Sequence, residues 1–143
     1  MMKVEDLAYW YFRLNGSLTI QSFIVHPDIG RNQETDIDLV AARFPHRAEN
    51  LRRPMPDDPS LLGTSKGGDD RRRILVYFVE VKTSACALNG PWTDPDRRNM
   101  ERALAAIGPL PSDTRSAAAD ALYDAGVYRD TMYKVSLACL GSR

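Results

Sequence analysis

The stretch Arg73-Ile74-Leu75-Val76-Tyr77-Phe78-Val79-Glu80-Val81-Lys82 decides how this chain is read. Its run from Ile74 to Val79 is continuously apolar, the composition of a strand covered on both faces and so central in its sheet. The run then ends in a carboxylate, a valine and a lysine. Side chains alternate along a strand, so Glu80 and Lys82 are expected on one face and Val81 on the other. An earlier strand-like stretch, Thr35-Asp36-Ile37-Asp38-Leu39-Val40-Ala41, begins with two carboxylates that the same alternation puts on one face. If the two strands are neighbours, carboxylates and an ammonium converge at one end of an apolar sheet. Like charges that close repel, and they are costly to strip of water. A hard divalent cation with oxygen ligands resolves that conflict and leaves the lysine beside it to polarise a water.

The remaining elements follow from periodicity. Val4, Leu7, Ala8, Tyr11, Phe12 and Leu14 recur at helical spacing and Asn15-Gly16 stops them, which predicts a helix over 4–14. Strands are expected over 17–25 and 35–44, joined as a hairpin through the turn residues 27–32. The segment 45–72 is rich in proline, glycine and charge and reads as a long, mobile insertion. After the strand 74–81 comes an irregular loop over 83–93. Asp94-Pro95 then predicts a helix capped by Asp94 and running to Ile107, where Gly108-Pro109 ends it. Ser112 is expected to cap a further helix to Ala125, stopped by Gly126, and 131–140 has strand character. The fold class is α/β, one domain over 1–143, with a central mixed sheet flanked by helices.

Composition bounds the function classes. Lys plus Arg and Asp plus Glu are equal at 19 each, so the whole molecule carries no electrostatic preference for nucleic acid. Positive charge is clustered at Arg52-Arg53, Arg71-Arg72-Arg73 and Arg97-Arg98, either as solvated side chains or as a rim that follows phosphates. Two cysteines, Cys86 and Cys139, match neither a zinc site nor a disulfide scaffold. With no leader-like start and no apolar run of roughly 20 residues, a cytoplasmic protein with reduced thiols and no membrane span is expected. His26 and His46 stand beside prolines without partners at metal-like spacing and read as turn residues. Tyr9, Trp10, Tyr11 and Trp92 read first as packing groups and second as surfaces for stacking bases.

The segments Asp36-Ile37-Asp38-Leu39-Val40-Ala41 and Glu80-Val81-Lys82-Thr83 resemble the PD-(D/E)xK nuclease superfamily, the restriction-endonuclease-like fold that includes Holliday-junction resolvases. The resemblance covers nearly the whole chain and implies an αβββαβ core. It departs from the family pattern in lacking a proline before Asp38. It implies hydrolysis of nucleic-acid phosphodiesters, DNA by family analogy, with Mg²⁺ or Mn²⁺ as cofactor. Asp38, Glu80 and Lys82 become the catalytic set, and Asp38, Glu80, the Val81 carbonyl and Glu5 the metal ligands. Asp36 and Thr83 are supporting candidates around them. Glu5 has a second explanation, since acids favour helix N-termini anyway. Lys82 is expected to be replaceable at small stability cost, as a strand-end lysine with its tip in solvent. The same residues leave open a catalytically silent nucleic-acid-binding or assembly module, or a nuclease subunit that needs a partner. The apolar final strand, so near the end of the sequence, suggests a homodimer, or a sequence that is part of something longer.

Overall fold

A computed structural model describes residues 1–30, 35–48, 50–53, 56–63 and 68–141. Parts of the expected hairpin turn and of the 45–72 insertion fall outside them. Helix α1 (Val4–Leu14) is followed by β1 (Leu18–Val25), β2 (Thr35–Arg43) and β3 (Ile74–Lys82). A short helix α2 (Gly90–Thr93), α3 (Asn99–Ile107), α4 (Arg115–Ala125), β4 (Val127–Arg129) and β5 (Tyr133–Gly141) complete the order. The five strands form one mixed sheet in the order β1-β2-β3-β5-β4. β1, β2 and β3 are antiparallel neighbours, whereas β3 and β5 run parallel. Parallel neighbours cannot be joined by a tight turn, so α2, α3 and α4 make the crossover.

The apolar run of β3 does what its composition requires. Every residue from Leu75 to Val81 is buried, because β3 is central and covered on both faces. On one face Val76 and Phe78 pack with Trp92, Met100, Leu104 and Leu122 of the crossover. On the other, Leu75, Tyr77, Val79 and Val81 pack with Ala8 and Phe12 of α1. Among the described residues no helix is long and apolar enough to cross a membrane.

Several boundaries differ from the sequence reading. Asp94 does cap, accepting from the Asp96 amide, but the turn it caps is a three-residue 3-10 segment, Pro95–Arg97. Arg98 then adopts a left-handed conformation, φ +53°, and α3 starts afresh at Asn99. The helix expected from Ser112 starts at Arg115 instead. Thr114 turns its hydroxyl to the Pro111 carbonyl, tying up the turn that Ser112 would have opened. α4 ends at Gly126, φ +71°, where a side chain would be strained. Directly after it comes β4, too short to show a period, which pairs with β5 through Val127 to Ser136 and Arg129 to Lys134. The final strand therefore lies inside the sheet along its first half.

The insertion is anchored where it is described. Leu61 and Leu62 are each 8 % exposed and join the α1-side core. The Tyr77 hydroxyl donates to the Leu61 carbonyl at 2.9 Å, and Tyr11 to Asp58 at 2.8 Å. Asp57 accepts from both Arg43 and Arg47 at 2.8 Å. Two leucines amid polar residues are too few to show a period, so sequence alone registers only the surrounding polarity.

Candidate active site

Register brings the two motif strands together. Leu39 pairs with Val79, the last pair between β2 and β3, and Asp38 and Glu80 are the next residues beyond it on the two strands. At that step the strands part. The Val81 amide, which has lost its strand partner, donates instead to Asp38 Oδ2 at 2.7 Å. N–H and C=O of one strand residue point to the same neighbour, so the Val81 carbonyl also opens toward Asp38.

The neighbouring strand departs from extended geometry at the same level. Ser22 lies opposite Asp38, between the pairs Gln21–Leu39 and Phe23–Ile37, and adopts φ +53°. A left-handed serine costs about 1–2 kcal/mol. Alternation breaks at the same place. Ile37 and Val40, three residues apart, both join the crossover-side core, while Leu39 joins the α1-side core. Asp38 sits at the break, and its carboxylate turns into the seam between β2 and β3. The alternation read from sequence put Asp36 and Asp38 on one face; Asp36 is exposed, and Asp38 is partly buried.

Glu80 is 5 % exposed, and both its oxygens are engaged. Oε1 accepts from Lys82 Nζ at 2.7 Å and from Asn89 Nδ2 at 3.0 Å. Oε2 accepts from the indole N–H of Trp92 at 3.2 Å. Lys82 Nζ also donates to Asn89 Oδ1 at 3.2 Å. The Lys82 pKa is raised, first by its hydrogen bond to Glu80, with desolvation opposing and the charges of Glu80 and Asp38 adding to the rise. The lysine is thus held as an ammonium. Its side chain is 23 % exposed, so the tip is shared between carboxylate and solvent.

Cys139 is the register neighbour of Glu80 on β5. Burial and a hydrogen bond with Cys86 push its thiol up to about 11.

The other candidates lie apart from this arrangement or at its rim. Glu5 is exposed in the first turn of α1. Among the described residues no group of three His, Cys, Asp or Glu side chains is placed to hold a metal ion. Thr83 is exposed just beyond β3. His26 and His46 are exposed. Trp92, 2 % exposed, is a core residue whose polar edge serves Glu80, and Trp10 is 49 % exposed. Two basic clusters are matched by local acids: Arg71 pairs with Asp69 at 2.9 Å, and Arg98 pairs with Glu101. Asn89 was not legible as a site residue. It belongs to an irregular loop, and only the path of that loop carries its amide to both Glu80 and Lys82.

Comparison with protein-family models, curated proteins and solved structures finds no match to this chain.

Proposed function

We propose that this chain is a divalent-metal-dependent nuclease with a restriction-endonuclease-like core, acting on nucleic acid and, by the resemblance, on DNA. The observation that supports the reading is the Val81 amide bonded to Asp38 at the end of the paired register of the two motif strands, which stops at Leu39–Val79, one residue short of both Asp38 and Glu80. The donors that this reading would bring to the ion are hard oxygens: the carboxylates of Asp38 and Glu80 and the Val81 carbonyl. Mg²⁺ suits such a set, because it binds through one or two carboxylates and keeps several waters. Asp38, Glu80 and Val81 would hold the ion, which supplies Lewis acidity toward phosphoryl oxygens and an acidified water.

The chain's own groups have distinct work. An ammonium has three N–H donors. Lys82 spends one on Glu80 and one on Asn89, which leaves one to orient a water or meet a phosphate oxygen. Positive charge there opposes the negative charge that builds on phosphorus in the transition state. Asn89 holds Lys82 and Glu80 at fixed separation, and Trp92 closes the inner side of Glu80 to water.

A second reading has its own support. The Glu80 oxygens already accept three hydrogen bonds, as in a structural post that anchors the 83–93 loop in a silent binding or assembly module. Asp38→Asn separates the two, since asparagine still accepts from the Val81 amide but carries no charge. Calorimetry with Mn²⁺ is expected to show a site in the wild type that Asp38→Asn weakens at least about tenfold, the scale of losing one ligand charge. Cleavage of single-stranded, duplex or branched DNA, or of RNA, should require Mg²⁺ or Mn²⁺ and stop with EDTA. Metal binding without cleavage favours the silent module. Equal affinity in both proteins, or none in either, removes the metal site.

A further inference from the structure

The loop that leaves β3 folds back against the end of β5. A Cβ placed on Gly141 would lie 2.4 Å from the Ser84 carbonyl oxygen and 3.1 Å from both the amide nitrogen and Sγ of Cys86. Only glycine leaves room for the loop there. Cys139 and Gly141 are two residues apart on β5 and so project to the same face. Cys86 Sγ therefore sits on the face of β5 that bears Cys139, one side-chain position along the strand from it. The chain's two cysteines, distant in sequence, meet beside the Glu80–Lys82 pair.

We propose that Cys86 and Cys139 form a dithiol modification site, whose co-substrate is a low-molecular-weight disulfide such as oxidised glutathione. Cys86 is exposed and Cys139 only partly so, which sets the order of events. The Cys86 thiolate attacks one sulfur of the small disulfide, whose S–S bond breaks and releases one small thiolate. Cys139 then attacks Cys86 Sγ and displaces the second. The protein loses two electrons, the small disulfide gains them, and the two thiol protons end on the two released thiols. To bridge, the two sulfurs must close to about 2 Å. The motion falls to the exposed loop, because Cys139 is held in the sheet. The bridge pins to β5 the loop that delivers Asn89 to Glu80 and Lys82.

The test needs neither metal nor substrate, so its outcome is independent of the hydrolytic reading. The full chain, fully reduced, is incubated with oxidised glutathione, and its intact mass is measured without reductant. The expected product is a monomer lighter by the two thiol hydrogens, with a Cys86–Cys139 cross-linked peptide that dithiothreitol releases. Cys139→Ser should stop instead at a stable glutathione adduct on Cys86. A wild-type chain that retains glutathione, links to a second chain or stays reduced would overturn the proposal. The decisive peptide comes from the wild type, so misfolding of a variant does not affect the result.

Discussion

Replacing Lys82 by alanine leaves the Glu80 carboxylate, 6 % exposed, without its cation. Breaking a fully buried ion pair costs about 3–5 kcal/mol, because the remaining charge is uncompensated. Two features reduce that figure here. Asn89 and Trp92 still donate to Glu80, at 3.0 and 3.2 Å, and the lysine end of the pair is 23 % exposed, so water can enter. The expected loss is about 2–3 kcal/mol, or about 6–12 °C in Tm for a chain of this size. This reverses the sequence expectation that a strand-end lysine is cheap to replace; the burial of its partner is the reason. Urea unfolding of wild type, Lys82→Ala, Glu80→Gln and the double variant gives the coupling directly. Removing the carboxylate charge as well should recover about 1–2 kcal/mol relative to Lys82→Ala. The pH dependence has a definite sign. The folded pKa of Lys82 is raised, so its contribution is intact below the ordinary lysine value of about 10.4 and is lost as pH rises through the folded value. The gap between wild type and Lys82→Ala should be flat through neutral pH and close only above that range. A Lys82→Ala chain within about 0.5 kcal/mol of wild type, with no recovery in the double variant, would refute the argument.

At the opposite end of β3, Asp70 is 3 % exposed and accepts from Lys134 at 2.8 Å, Arg73 at 3.1 Å and Arg129 at 3.3 Å. Asp70→Ala strands the Lys134 ammonium and should cost about 3–4 kcal/mol in urea unfolding. Burial pushes the Asp70 pKa up, but hydrogen bonds from Lys134 and Arg129 outweigh it and the net shift is downward. Its contribution is therefore present above about pH 3.9 and fades as pH falls through the lower folded value, where the wild-type and Asp70→Ala acid-unfolding curves should converge. Trp92→Phe removes the indole donor to Glu80 and should cost about 2 kcal/mol, while loss of the blue-shifted part of the tryptophan emission identifies Trp92 as the buried indole beside the half-exposed Trp10. Unchanged stability in that variant would mean that Glu80 does not depend on the indole.

Local pattern carried a large part of the architecture. The amphipathic spacing of Val4 to Leu14 with Asn15-Gly16 behind it specifies α1 to the residue, and the apolar run of 74–81 specifies a central strand. Both signals are repeated over many residues, so one exception does not erase them. β4 has three residues and no period to read. The start of α3 depends on one backbone angle, at Arg98, where an N-cap pattern four residues earlier had suggested a different boundary. The 45–72 segment looks loose because its anchors, Leu61, Leu62, Asp57 and Asp58, are scattered, and each finds its partner on a distant element.

For the candidate site the division is the same. Residue type and spacing along single strands were enough to single out Asp38, Glu80 and Lys82, because a carboxylate at the end of an apolar run must answer for its burial wherever it lands. How it answers is a tertiary matter. Where the pairing of β2 and β3 ends at Leu39–Val79, Asp38 accepts from the Val81 amide, with the left-handed Ser22 opposite it on β1. The loop after β3 brings in Asn89, the crossover brings in Trp92, and the parallel pairing with β5 sets Cys139 beside Glu80. Sequence by itself therefore determined which side chains need partners, since that follows from their own chemistry and near neighbours. Which partners they have was decided only by the folded chain, because strand register and loop path join residues whose separation along the sequence carries no periodic signal.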